Sequence, residues 1–280
     1  MKNTNWNWQS KDGLEMFSQS WEPENKPKAL VCLVHGLGEH SGRYAHVAQV
    51  FSEAGYATAS FDLRGHGKSG GPRGHLPSFD AYMDDIAEFH KQALEHFPGI
   101  PAFLYGHSLG GILVLNYVLR RKPKFAGVIS TGAGMRTSLE EQKAKVMAAR
   151  VLGTLMPATI LPSGLVPETI SRDPQVVRAY VNDPLVHDKM SLGFGKIMLS
   201  EIPWTFEHAH EFSLPLLIMH GKEDKLGYPR GSEEFAGLVP ENCTLKLWDG
   251  MYHEIHNEPE KDDVFAFTID WMNSQLVNER

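Results

Sequence analysis

Gly106-His107-Ser108-Leu109-Gly110 stands between two apolar runs, Pro101–Tyr105 before it and Ile112–Leu119 after it. The first run reads as a strand and the second as a helix, which places Ser108 at the apex of a sharp strand–turn–helix elbow. Glycines at both ends of the motif suit such a turn, because a Cβ there would strike the strand or the helix. The helix that follows aims free N–H groups and the positive end of its dipole at the serine, where an oxyanion would form. An element of this kind needs a sheet beneath it, so it constrains the whole chain to an α/β architecture.

The surrounding pattern agrees. Trp6 to Trp21 reads as a hairpin turning at Asp12-Gly13, and Glu22 to Lys28 as a polar connector. Ala29–Val34 is an unbroken apolar run, hence a strand buried on both faces of a parallel sheet. A helix over Tyr44–Ala54 closes at Gly55, and a strand over Tyr56–Phe61 leads into the loop Asp62–Gly71. Ser78 is an N-cap for a helix running to Phe97, and the strand Phe125–Ile129 follows the elbow helix. Between Met135 and Phe212 the alternation stops. Helix-like stretches there are broken by Pro157, Pro162, Pro167, Pro174, Pro184 and Pro203, with no strand signal. It resumes with the strand Pro215–His220, a helix over Gly231–Leu238, the strand Thr244–Trp248 and a helix over Asp262–Leu276. The expected organisation is an α/β core from residues 1–134 and 213–280, with residues 135–212 inserted as a helical lid over the strands' C-terminal edge.

Ser108 needs a base and a group that orients the base. In elbow-type folds these follow in the order Ser, Asp or Glu, His, each on a loop leaving a strand. His220-Gly221-Lys222-Glu223-Asp224 puts Asp224 just past one strand end, with Glu223 as the adjacent competitor. Trp248-Asp249-Gly250-Met251-Tyr252-His253 puts His253 in the equivalent place, with His220 and His256 as rivals. Asp224 and His253 are the expected partners. The amide of Leu109 and that of Leu37, in the turn His35-Gly36-Leu37-Gly38, are the expected oxyanion donors.

Other readings are set aside. His253-Glu254-Ile255-His256 lacks the H-E-x-x-H spacing of a zinc site, and nothing calls for a metal or cofactor. Gly65–Gly70 lacks the spacing of a phosphate loop and reads as a solvated turn. A net charge of −7 with no basic stripe argues against a nucleic-acid partner. Two cysteines give no disulfide framework, the N-terminus shows no secretory signal, and no run approaches a membrane span; the expectation is a cytoplasmic protein.

With these residues in view, the chain resembles the serine hydrolases of the α/β-hydrolase superfamily, and within them the monoacylglycerol lipase and lysophospholipase group. The specific match is His35-Gly36-Leu37-Gly38-Glu39-His40-Ser41-Gly42-Arg43-Tyr44. Asp62–Ser69, the elbow, Asn182-Asp183-Pro184-Leu185 and Tyr252–Glu258 resemble further landmarks of that group. The resemblance implies an α/β-hydrolase fold with a lid, and hydrolysis of a monoacylglycerol to fatty acid and glycerol. A lysophospholipase, a general carboxylesterase or a catalytically silent receptor are the alternatives. It also implies that Glu39, Arg43 and His256 serve the polar end of the substrate site, although the i,i+4 spacing of Glu39 and Arg43 equally suits a structural ion pair. The lid helix around Val146–Met156 is apolar on most sides, which leads to the expectation of transient contact with a micelle or membrane surface. The sequence specifies no oligomeric state.

Overall fold

Residues whose neighbours along the chain are all apolar have no polar face to offer water, so they sink into a sheet covered on both sides. The computed structural model describes residues 1–239 and 242–278; positions 240–241 and 279–280 of the expected core lie outside the described residues. In chain order the elements are β1 (Lys2–Gln9), β2 (Glu15–Glu22), β3 (Ala29–Val34), α1 (Ala45–Glu53), β4 (Tyr56–Phe61) and α2 (Phe79–His96). Then come β5 (Ala102–His107), α3 (Leu109–Arg121), β6 (Gly127–Thr131), α4 (Lys143–Leu155), β7 (Ile160–Pro162) and α5 (Pro174–Asn182). The chain continues through β8 (Lys189–Ser191), α6 (Leu192–Glu207), β9 (Leu216–Gly221), α7 (Pro229–Leu238), β10 (Cys243–Trp248) and α8 (Lys261–Asn278).

Eight strands form one sheet in the order β1-β2-β4-β3-β5-β6-β9-β10. The hairpin strand β2 pairs antiparallel with β1 and β4, and the pairs from β4 to β10 are parallel. Every residue of β3, β4, β5, β6 and β9 is buried. One face of the sheet packs against α2 and α3 through Tyr82, Ile86, Phe89, Ile112 and Leu115. The other packs against α1 and α8 through Val47, Phe51, Val264, Trp271 and Met272. This is the α/β-hydrolase architecture, a mostly parallel sheet flanked by helices.

Ser78 caps α2, accepting from the Ala81 amide. Ahead of α1, a short 3-10 turn over Ser41–Tyr44 takes the place of the first helical residue that periodicity suggested.

Between β6 and β9 no segment joins the main sheet, and α4, α5 and α6 fill the insertion. Two features differ from expectation. The insertion holds a small antiparallel pair, β7 with β8, three residues each, too short for alternation to register in sequence. Pro203 lies inside α6 instead of ending it. Several hydrogen bonds tie the insertion to the core. Ile170 accepts from the Glu254 amide at 2.8 Å, and Ser171 Oγ donates to the Asn257 carbonyl at 2.9 Å. The His187 amide donates to the Gly38 carbonyl at 2.8 Å, and Asp183 meets His40 Nε2 at 2.9 Å.

Candidate active site

The elbow is built by close approach of backbones. A Cβ on Gly106 would lie 2.2 Å from the Gly110 carbonyl oxygen, and one on Gly110 would lie 2.0 Å from that of Val34. Only glycine tolerates such contacts. Ser108 itself has φ 55° and ψ −115°, a conformation that costs a non-glycine residue on the order of 1–3 kcal/mol. Its amide donates to the Thr131 carbonyl at 2.8 Å, tying the apex to β6. The side chain is thereby lifted off the sheet, half-buried at the mouth of the site. Leu109 is the first residue of α3, so its amide is among the four that a helix start leaves without an intrahelical partner.

Asp224 follows β9 and His253 follows β10, and the parallel pairing of these strands carries both loops to the same edge as the elbow. His253 Nε2 lies 2.9 Å from Ser108 Oγ, and His253 Nδ1 lies 2.7 Å from Asp224 Oδ2. The competitor Glu223 is exposed, whereas Asp224 is buried. Its second oxygen, Oδ1, accepts the amides of Leu226 at 2.8 Å and Gly227 at 3.0 Å. Burial resists ionisation of Asp224, but the His253 charge and the hydrogen bonds from His220 and His253 prevail, holding the carboxyl well below the usual range. For His253, burial disfavours the charged ring, yet the Asp224 charge and hydrogen bond outweigh it. Its pKa is therefore raised above the ordinary 6.5.

The turn carrying Leu37 lies against the nucleophile, since a Cβ on Gly36 would come within 3.1 Å of Ser108 Cβ. His35 pins the start of this turn, accepting the Leu63 amide on Nε2 at 2.9 Å, so its Nδ1–H donates to the Gly36 carbonyl at 2.7 Å. Glu39 pins the other side. Its Oε1 accepts the Gly36 amide and the Tyr44 hydroxyl, each at 2.7 Å, and its Oε2 accepts from Arg43 at 2.6 Å. Arg43 makes a two-pronged contact with Glu254, at 2.7 and 2.8 Å. Burial raises the Glu39 pKa, but the Arg43 charge, followed by His107 and His35, brings it down to about 2.

Glu39, Arg43 and His256, expected at the polar end of the substrate site, lie together in a network of protein contacts. Glu39 and His256 are buried, and Glu39 and Arg43 spend their hydrogen bonds on protein partners. His256 stacks on Tyr44 at 5.1 Å and edges His107 at 4.7 Å. Burial first, then His107 and His46, hold the His256 pKa well below 6.5, and burial with the nearby His253 takes His107 down to about 4. Glu254 is a member of this network that residue-by-residue reading left without a role. Its partner is 211 residues away, so no local spacing announces the pair.

The stretch Gly65–Gly70, expected to be a solvated turn, holds buried His66 and Ser69, and loop residues 62–64 just before it are buried as well. Arg64 is buried between Asp85, at 2.7 and 2.8 Å, and Asp12, and His66 is fully buried. Asp62 accepts from the Ser41 and Lys68 amides at 2.8 and 2.7 Å, so this loop braces the turn after β3.

Elbow serine, carboxylate and imidazole on loops leaving three strands at one edge of a mostly parallel sheet define the serine-hydrolase class of the α/β-hydrolases. Residues 25–260 match the Hydrolase_4 family, described as serine aminopeptidase, S33, and the chain belongs to that family. It is 40% identical over 265 residues to an uncharacterized abhydrolase domain-containing protein of Dictyostelium discoideum, covering 94% of this chain but only 28% of that longer protein. It is 35% identical to a monoacylglycerol lipase of Mycolicibacterium smegmatis, covering 94% of this chain and 95% of that one. Among solved structures it is similar to the monoacylglycerol lipase of Paleococcus ferrophilus, with a TM-score of 0.83 and 32% identity, covering 98% of this chain and all of that one. The protein is a monoglyceride lipase-like carboxylic ester hydrolase.

Proposed function

We propose that the protein hydrolyses monoacylglycerols to fatty acid and glycerol through an acyl-enzyme on Ser108. The observation that carries this reading is the 2.9 Å approach of His253 Nε2 to Ser108 Oγ, with Asp224 behind the ring. In the first half-reaction His253 takes the Ser108 hydroxyl proton as Oγ bonds to the ester carbonyl carbon. The carbonyl oxygen becomes an oxyanion held by the amides of Leu37 and Leu109. The tetrahedral adduct then expels the glycerol oxygen, which leaves with the proton from His253. In the second half-reaction water gives a proton to His253 and attacks the acyl carbon, and the proton returns to Ser108 as the fatty acid departs.

Support for the substrate class comes from the names of the similar lipases and from the insertion. One side of α4 packs on α6, where a Cβ on Gly153 would meet the Leu192 carbonyl at 2.6 Å. Its other side, with Met147, Val151 and Leu155, is exposed, Leu155 at 72%. We assign this face to transient contact with the lipid aggregates in which monoacylglycerols reside. Among the described residues no helix is long and apolar enough to cross a membrane. Glu39, Arg43 and His256 are assigned to the polar end of the substrate site, where Glu39 also holds the turn that carries Leu37.

A panel of monoacylglycerols, diacylglycerols, triacylglycerols, lysophospholipids and an aminoacyl amide tests the assignment. The highest kcat/KM is expected on monoacylglycerols. A higher value on lysophospholipids or on the amide would overturn it, and reaction with none of them would favour a ligand-binding protein.

A further inference from the structure

Asp224 Oδ2 receives two imidazoles: His253 Nδ1 at 2.7 Å and His220 Nε2 at 2.9 Å. His220 is the last residue but one of β9 and has no exposed surface. Its Nε2 faces a second acceptor, the Gly227 carbonyl, at 2.8 Å. A nitrogen facing a carboxylate and a carbonyl must carry the proton, because an unprotonated one would set three lone pairs against each other. The remaining nitrogen, Nδ1, lies 2.7 Å from Ser232 Oγ on α7, and the hydroxyl serves as its partner. The ring is thus locked from both ends, and its one possible service to the site is a fixed N–H on Asp224.

We infer that His220 is a positioning residue of the hydrolytic site, one that orients the Asp224 carboxylate and limits how strongly it holds the proton on His253. The inference rests on the reading of Ser108, His253 and Asp224 as one catalytic unit. With the Leu226 and Gly227 amides on Oδ1 and His220 with His253 on Oδ2, the carboxylate has four donors and one orientation. A donor on Oδ2 draws electron density from the oxygen that His253 also uses. The charged form of His253 is then stabilised less than it would be by a bare carboxylate, and the ring is more readily neutral and ready to act as a base. The other groups that act on His253 lie on different elements: Glu254 beside it, Glu39 after β3, and His107 in the elbow at 4.9 Å between rings. None of these touches Asp224 Oδ2, so a change at His220 leaves them in place.

The test uses the full chain and a soluble ester. His220→Leu should lower kcat by roughly tenfold with little change in KM. It should also move the acidic midpoint of kcat/KM upward by about half a pH unit or more. His220→Gln places an amide N–H near the position of Nε2 and should return the midpoint most of the way. His220→Asn, whose shorter amide sits near Nδ1, should not. A merely packing role predicts lower thermal stability in all three variants with the midpoint unmoved, and that result overturns the inference. Should the Leu variant fail to fold, the Gln and Asn pair decides on the same criterion. Nitrogen-15 NMR of the imidazoles in the unaltered protein gives an arm free of folding effects. A proton on His220 Nε2 is expected, and the opposite neutral tautomer refutes the inference. If Ser108→Ala keeps its activity the catalytic reading itself fails; if Ser108→Ala is inactive and the midpoint is unmoved, only the role of His220 fails.

Discussion

Ser108 and His253 meet at 2.9 Å although 145 residues of chain separate them. On the proposed mechanism, that contact lets the imidazole take the serine proton and makes Ser108 the nucleophile. Ser108→Ala should therefore abolish ester hydrolysis, a loss on the order of 10⁶ in rate, with the circular dichroism spectrum unchanged. It should also stop labelling by a serine-directed phosphonate. Retention of more than a trace of activity in clean protein would remove Ser108 from the mechanism.

Asp224 holds two imidazoles and two amides, so an amide in its place cannot satisfy all four donors. Asp224→Asn should lower kcat by about 10⁴, somewhat less than His253→Ala. Adding either change to Ser108→Ala should cost almost nothing further, because on the proposed mechanism the three groups act as a unit. Additive losses in a double-mutant cycle would show that they act separately.

His253 must be neutral to accept the serine proton, and its pKa is raised above 6.5 by Asp224. The value of kcat/KM should then rise with pH, with its midpoint on the alkaline side of a free imidazole. Asp224, held well below the usual carboxylate range, stays ionised throughout this window and adds no second transition. A flat profile from about pH 5 to about pH 8 would count against a histidine base.

Glu39 ties the oxyanion turn to Arg43 and Tyr44 from a buried position. Removing one partner of such a buried pair costs about 3–5 kcal/mol, so Glu39→Gln should lower Tm by on the order of 10 °C. The folded-state pKa is depressed, from 4.5 to about 2, so the stabilisation is complete above 4.5 and is lost as pH falls towards 2. The Tm gap between Glu39→Gln and the unaltered protein should be full at neutral pH and shrink across that acidic interval. A gap that does not vary with pH would show that packing, not charge, sets it.

Val151 and Leu155 present the outer side of α4, one turn apart. Replacing both by Asp should impair hydrolysis of micellar long-chain monoacylglycerol while sparing a soluble short-chain ester, since both side chains are exposed. Equal loss on both substrates would mean that the insertion had unfolded. No loss on either would remove the lipid-surface role.

How much was legible without coordinates follows from the range of each interaction. β3, β4, β5, β6 and β9 announce themselves because a strand buried on both faces is built mostly of small or apolar side chains, and that is a property of six adjacent residues or fewer. The elbow is equally local in sequence: Gly106, Ser108 and Gly110 are confined to one turn, and the contact that demands glycine at position 106 arises within it, although the one that demands glycine at position 110 comes from Val34 of β3. The three-residue strands β7 and β8 escaped notice because so short a run shows no period, and their pairing joins Ile160 to Ser191 across the insertion. Gly65–Gly70 reads as solvated because its composition is polar, while Phe17, whose amide Ser69 Oγ accepts, comes from elsewhere in the chain. Glu254 reaching Arg43 and His220 sharing Asp224 with His253 depend on which strand ends the sheet order brings together. A carboxylate or an imidazole carries the same letter whether it faces solvent or a buried partner. Its protonation and its purpose are set by the charges and dipoles that packing places within a few ångströms, and these come from distant parts of the chain.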